Sequence, residues 1–141
     1  AVLMLPEIEK TVAEGAAAVP LAALHNKKIS VAGKNVGLVV SGGNIDMNLI
    51  SRIIETGLIQ DGRLGRFTIV ISDRPGSLAR LAQRVADLGA NILQIDHSRG
   101  FGEMAIGETE VELILETAGA EHIQRIYDTL RADKFKIKNE R

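Results

Sequence analysis

The sequence predicts two parts of different fold class: an incomplete α/β segment over residues 1–61, followed by an α+β domain over residues 62–141. Two observations predict this division. The first part is rich in alanine, glycine and leucine, and its one convincing apolar run does not alternate, whereas the second part has several short, alternating apolar runs. The length of 141 residues also suits one domain or two small ones.

The first part begins with helical signals. Pro6, followed by Glu7 and Glu9, predicts a helix start, because proline suits the first turn and acidic side chains suit the positive end of the helix dipole. Pro20 is then predicted to begin a second helical segment that runs through His25.

One apolar run, residues 34–40, predicts a strand buried on both faces, as in a parallel sheet. A glycine turn follows, and Asp46 is predicted to cap an amphipathic helix with Ile50, Ile53 and Ile54 on its apolar stripe. A doubly buried strand needs neighbours on both sides, so we expect its partners upstream or in other chains. The first part is therefore expected to be no complete domain and not to fold alone.

The second part has a regular rhythm of short elements. Phe67, Ile69 and Ile71 are spaced by two and predict its first strand. A helix follows, which Ser77 caps and Gly89 ends, and then a strand over residues 90–98. A glycine-containing loop with Phe101 and Met104 as apolar anchors leads to a strand over residues 108–117. The last two elements are a helix after Gly119 and an edge strand with Phe135 and Ile137. This β-α-β-β-α-β order is the ferredoxin-like arrangement, with both helices on one sheet face. The other face, with a row of glutamates and Ile114, is left for solvent or a partner.

Composition excludes several function classes. Seventeen basic and eighteen acidic residues give a net charge of −1, which offers no basic surface for nucleic acid. The absence of cysteine excludes thiolate metal sites and fits a cytoplasmic protein, and no apolar stretch reaches the length of about 20 residues that spans a membrane. The three histidines, His25, His97 and His122, fall on different elements and form no metal site.

The turn before the first helix of the second part has the chemistry of an amino-acid site. Gly76 allows N–H groups at the helix start to face a carboxylate, and Asp73 can hold an ammonium group; an ordinary strand-to-helix turn is the alternative. Together with the stretch Leu88–Ile92, this turn resembles the ACT domain, an amino-acid-sensing module. The resemblance implies dimers through ACT domains and effector-binding residues at Asp73, Arg74, Pro75, Gly76, Ser77, Leu78, Asn91 and Ile92, with isoleucine or valine as the first candidate effectors.

The first part holds two motifs, at residues 11–16 and 37–46, that resemble the end of the catalytic domain of the threonine ammonia-lyase (threonine dehydratase) family. This family consists of fold-type II enzymes that use pyridoxal phosphate to convert threonine to 2-oxobutanoate and ammonia. The resemblance implies that the Ser41 hydroxyl bonds the pyridine nitrogen, leaving it uncharged, and that Glu14 lies near the cofactor ring. The implied cofactor-binding residues are Ser41, Gly42, Gly43, Asn44 and Glu14; Ala17 departs from the glycine of many relatives.

Some expected parts of such an enzyme are missing from this sequence. The Schiff-base lysine and the glycine-rich phosphate loop would lie upstream of Ala1, so the chain is expected to be inactive and to bind no cofactor by itself. It is interpreted as a C-terminal regulatory fragment that joins an upstream catalytic domain. Two alternatives stay open: a non-catalytic ACT sensor or dimerisation module, and a parent enzyme that prefers serine.

Overall fold

The computed structural model describes residues 1–98 and 105–140, and the predicted loop anchors Phe101 and Met104 lie outside these ranges. The chain forms two compact units, Ala1–Gly57 and Leu58–Arg141. Within the described ranges, no helix has the length and apolar character needed to cross a membrane.

The first unit is largely helical and has a small core. A short π-helix, Leu5–Glu9, carries Pro6 in its first turn, and two α-helices follow, α1 over Gly15–His25 and α2 over Met47–Gln60. Its buried core consists of Leu5, Ala13, Ala17 and Ala18. The predicted cap of α2 is confirmed, because the N–H of Asn48 donates to Oδ1 of Asp46 over 2.7 Å.

The prediction that Pro20 begins a new helix is wrong. Pro20 lies inside α1, which continues from Gly15 to His25. Proline removes one backbone hydrogen bond from a helix interior. The helix continues nonetheless, because most of its other residues are alanine and leucine, which have high helix propensity.

The predicted strand over residues 34–40 does not form. Residues 34–46 have no regular secondary structure, and no strand occurs within residues 1–57. A strand persists only when a neighbour satisfies its backbone hydrogen bonds, and this unit supplies none. Its apolar side chains are accordingly exposed, with Val39 at 79%.

The second unit contains a four-stranded sheet in the predicted β-α-β-β-α-β order, which is compatible with a ferredoxin-like ACT domain. Its elements are β1 (Leu64–Ser72), α3 (Ser77–Asp87), β2 (Asn91–Ser98), β3 (Glu108–Glu116), α4 (Ala120–Ala132) and β4 (Lys136–Glu140). The strand order is β2-β3-β1-β4, and each neighbouring pair is antiparallel. Because β1 and β2 both run antiparallel to β3, their last residues lie at the same end of the sheet.

The core of the second unit lies between the sheet and its two helices. Every second residue of β1 and β3 points into it, as the spacing predicts. The fully buried side chains are Phe67, Ile69, Val111, Leu113 and Leu115 from the sheet and Leu81, Val85, Ile126 and Leu130 from the helices. The rings of Phe67 and Tyr127 of α4 lie 4.5 Å apart between centroids. Because Leu81 and Val85 of α3 belong to the same buried cluster, both helices pack on one face.

Ion pairs cover the opposite sheet face, which the sequence analysis left for solvent or a partner. Lys136 pairs with Glu108, Lys138 with Glu110 over 2.5 Å, and Arg66 with Glu112 over 3.6 Å. The two lysines lie on β4 and the glutamates on β3, so these pairs bridge across β1. Beneath them Thr68 and Val70 are only 4% and 8% exposed, because the long charged side chains cover them.

The segment 57–65, where the two predicted parts meet in the sequence, is mostly regular structure. Helix α2 continues to Gln60 and β1 begins at Leu64, which leaves a three-residue turn. In that turn Gly62 has φ +66°, and a Cβ there would lie 2.5 Å from the backbone N of Ala120. The hydroxyl of Thr117 donates to the Gly62 carbonyl over 2.5 Å, so the turn is fixed against the start of α4.

His122 joins the two helices of the second unit. Its Nδ1 accepts the N–H of Ala118 and its Nε2 lies 2.9 Å from the carbonyl oxygen of Leu88. Since Nδ1 is an acceptor, the proton is on Nε2, which donates to Leu88 at the end of α3. His122 is thus a buried structural residue.

We predict that His122→Ala destabilises the chain by about 2–4 kcal/mol, because it removes two hydrogen bonds and leaves two backbone groups unsatisfied. Urea unfolding followed by circular dichroism measures this free energy. His25→Ala, on an exposed helix end, is the control and should change it by less than about 0.5 kcal/mol. Equal effects of the two substitutions would contradict the structural role.

We also predict that the Glu108–Lys136 pair makes a pH-dependent contribution to the free energy of unfolding. The hydrogen bond from Lys136 lowers the pKa of Glu108 below its usual range. A carboxyl whose pKa is depressed by folding stabilises the fold above its unfolded-state pKa, and this contribution is lost as the pH falls through the folded-state pKa. In an NMR titration, Lys136→Ala should raise the pKa of Glu108, and the control Lys28→Ala should leave it unchanged.

Candidate functional sites

A cavity of about 380 Å³ opens at the end of the sheet where β1 and β2 terminate. The predicted turn residues form much of its wall. Its lining residues are Ile71, Ser72, Asp73, Arg74, Pro75, Gly76, Ser77, Leu78, His97 and Thr109. The structure therefore brings together all six effector residues that were predicted in the turn.

The turn is held by backbone hydrogen bonds at both ends. Gly76 precedes α3 with φ +86°, a conformation that favours glycine, and its carbonyl accepts the N–H of Arg80 over 2.9 Å. At the other end, the N–H of Asp73 donates to the carbonyl of Gly107 over 2.8 Å. The cavity wall is therefore fixed to the residues that precede β3.

Ser77 does not cap α3, contrary to the prediction. The N-cap residue is Gly76, and no side chain caps the helix start. Ser77 is instead the first helical residue, and its buried hydroxyl lies 2.9 Å from the hydroxyl of Ser72. The serine pair joins the end of β1 to the start of α3.

Asn91 and Ile92, the other two predicted effector residues, lie at the opposite end of the sheet. Asn91 is in register with Glu116 and donates to its Oε2 over 3.3 Å, whereas β1 ends opposite Glu108. The length of β2 separates the two ends by about 24 Å. Within one chain these two residues do not reach the turn, because they begin the strand whose other end lines the cavity.

Sequence reasoning missed two polar residues of the cavity, His97 and Thr109. His97 lies near the end of β2, in register with Val111, and Thr109 lies in register with Ile71 of β1. The hydroxyl of Thr109 donates to the carbonyl of Ser98 over 2.8 Å. The predicted element order could have identified both residues, since it already brings the end of β1, the end of β2 and the start of β3 to one end of the sheet.

The predicted cofactor residues of the first unit also come together. The N–H of Glu14 donates to the carbonyl of Gly42 over 3.2 Å, and Ser41 and Asn44 flank the glycine pair as exposed residues. Gly42 has φ +98°, and a Cβ at this position would lie 2.5 Å from Oε1 of Glu14. A Cβ on Gly43 would lie 3.3 Å from the carbonyl oxygen of Val12.

Glycine therefore suits both positions where the chain passes residues 12–14: the φ of Gly42 favours glycine, and a Cβ on Gly43 would press on the Val12 carbonyl. The arrangement places the carboxylate of Glu14, at the start of α1, beside the loop that carries the Ser41 hydroxyl and the Asn44 amide. These donors and acceptors fit the ring of pyridoxal phosphate, for which the resemblance predicted them.

Comparisons with known proteins agree on one family, although no family model matches the chain. It is 46% identical over 138 residues to the L-threonine ammonia-lyase of Thermotoga maritima, which covers 98% of this chain and 34% of that protein. The L-threonine ammonia-lyase of Geobacter sulfurreducens is also 46% identical, over 93% of this chain and 33% of its own length. A biosynthetic L-threonine dehydratase of Lactococcus lactis is 31% identical over 100 residues.

The chain spans about a third of the length of the curated relatives that it matches. Because they cover 98% and 93% of this chain, the matches to the two ammonia-lyases run through both units. The chain is therefore similar to L-threonine ammonia-lyases over nearly its whole length, consistent with the C-terminal part of such an enzyme.

Proposed function

We propose that the chain is the C-terminal regulatory part of a pyridoxal-phosphate-dependent threonine ammonia-lyase, and that its second unit binds a free amino acid. The observation that carries this proposal is the cavity at the Asp73–Leu78 turn, in a chain 46% identical to two L-threonine ammonia-lyases. The candidate effectors are isoleucine, valine, threonine and serine.

The cavity offers complementary groups to a zwitterion. N–H groups in the first turn of α3 favour a carboxylate, because the helix leaves them without intrahelical acceptors and the helix dipole is positive there. Asp73 supplies a negative charge for the ammonium group from the same turn. Because the Asp73 and Gly76 backbones are both held by hydrogen bonds, little ordering is needed on binding.

The first unit would contribute one wall of the cofactor site in the full-length enzyme. Pyridoxal phosphate supplies an electron sink for bond cleavage at the substrate α-carbon when it is bound. The Ser41 hydroxyl would donate to the ring nitrogen and keep it uncharged, and Glu14 would lie beside the ring. The close approach of Glu14 and Gly42 supports this assignment over a pure sensor, which has no use for it. The chain by itself is expected to have no ammonia-lyase activity.

Association of two copies would use the edge strand β2. Of the two edge strands, β2 is the longer and exposes Leu93 at 55% and Ile95 at 40%. The opposite edge strand, β4, carries Lys136 and Lys138, and such lysines oppose edge pairing. A second copy could pair antiparallel with β2 and extend the sheet.

We predict that Asp73→Ala weakens effector binding by about tenfold or more, which corresponds to the loss of one charge-assisted contact. Calorimetry of the full chain with isoleucine, valine, threonine and serine measures this change. Asp128→Ala, which removes an exposed carboxylate of α4, is the control and should leave binding unchanged. The site assignment is wrong if none of the four amino acids binds at millimolar concentration, or if both variants bind like the parent.

We predict further that Ile95→Lys raises the dissociation constant of the dimer by about tenfold or more, since two lysines near the twofold axis repel each other and lose apolar contact. Sedimentation velocity over a micromolar concentration series measures this constant. Gln124→Lys, exposed on α4, adds the same charge away from β2 and should leave it unchanged. A parent chain that is monomeric throughout the series would contradict association through β2.

A further inference from the structure

Helix α3 has one end at the effector cavity and the other at His122. Ser77 and Leu78, its first two residues, line the cavity. At its far end, the carbonyl of Leu88 accepts a hydrogen bond from Nε2 of His122 over 2.9 Å. A carbonyl at a helix C-terminus has no donor within its own helix, and the imidazole supplies one. The 11 residues of α3 thus connect the cavity to a buried side chain about 16 Å away along the helix axis.

The other ring nitrogen of His122 holds the loop between β3 and α4. Nδ1 accepts the N–H of Ala118 over 2.9 Å. The preceding residue, Thr117, donates its N–H to the Arg63 carbonyl over 2.9 Å and its hydroxyl to the Gly62 carbonyl over 2.5 Å. Gly62 and Arg63 belong to the turn that joins α2 to β1. A continuous series of contacts therefore leads from the end of α3 to this turn.

Each segment of this series is fixed by burial. Leu81 and Val85 anchor α3 in the core, and Thr117 and His122 are only 8% and 6% exposed. A buried hydrogen bond that opens leaves its partners unsatisfied, so its loss costs more than the loss of an exposed one. The stability of the hydrogen bonds at the α2–β1 turn therefore depends on how firmly α3 holds the Leu88 carbonyl in place.

We propose that His122 is a positioning residue through which occupancy of the cavity controls the α2–β1 turn. The inference rests on the proposed effector function and deepens it, because it names the contact by which the site would reach α2, the helix that leads back along the chain to the first unit. An amino acid bound to the first turn of α3 would reduce the fluctuations of this helix. The hydrogen bonds at its other end would then open less often.

Amide hydrogen exchange followed by NMR tests this coupling in the full chain. The tightest binder among isoleucine, valine, threonine and serine is added to saturation. Exchange of the Ala118 and Thr117 amides, which donate to His122 and Arg63, should slow by about fivefold more than exchange of the β4 amides, a factor at the low end of coupling between sites. The β4 amides report the general stabilisation that any bound ligand produces.

His122→Asn separates coupling from a merely structural role. Its shorter side chain places an oxygen near the position of Nδ1 and still accepts the Ala118 N–H, but it does not reach Leu88. On ligand addition, the extra slowing at Ala118 and Thr117 should disappear in this variant, whereas a structural role would leave it unchanged. His25→Asn, the same substitution at an exposed histidine of the first unit, is the matched control and should keep the parent's extra slowing.

The outcomes separate the two proposals. If an amino acid binds but Ala118 and Thr117 show no extra slowing, or if His122→Asn keeps the parent's extra slowing, the coupling is wrong and the effector site stands. If none of the four amino acids binds, the effector site is wrong and the coupling falls with it. Should circular dichroism show that His122→Asn does not fold, the comparison of Ala118 and Thr117 with β4 in the parent decides.

Discussion

The antiparallel pairing of β1 with β3 is the contact on which the rest of the second unit depends. It joins nine residue pairs, from Leu64 with Glu116 to Ser72 with Glu108. One face of this ladder supplies the core on which both helices pack, and the other carries the glutamates that bind lysines of β4. Its end at Ser72 also sets the place where the chain must turn, and so the position of the cavity.

The cavity gains its shape from two glycines that flank it in space. Gly76 takes the left-handed conformation at the start of α3, and Gly107, with φ +86°, accepts the N–H of Asp73 just before β3. A side chain at either position would be strained, since L-residues rarely adopt this region. The shape of the cavity wall is therefore set by backbone geometry, and side chains of the turn and of the strand ends line it.

The elements of the second unit could be predicted because local spacing determines them. The alternation in β1 and β3 and the helical stripe of α4 identify a buried face without knowledge of the partner. Residues 34–40 show the limit of such reasoning, since an apolar run becomes a strand only beside a neighbour that hydrogen-bonds to it. Asn91 shows another limit. Local spacing places it at the start of β2, but the end of the sheet at which it lies depends on the direction in which β2 runs. Glu14 and Gly42, by contrast, were grouped by family resemblance, and the structure joins them by a backbone hydrogen bond.

Strand β2 would connect the two proposed properties of the second unit. His97, near its end, lines the cavity, and Leu93 and Ile95, in its middle, are the apolar groups of the exposed edge. A ligand held against His97 would fix the end of this strand, and a second copy paired along the edge would fix its middle. Each event would lower the entropic cost of the other, and thermodynamic linkage requires the effect to be equal in both directions. An effector that strengthens association would then bind more tightly to the dimer than to the monomer by the same factor.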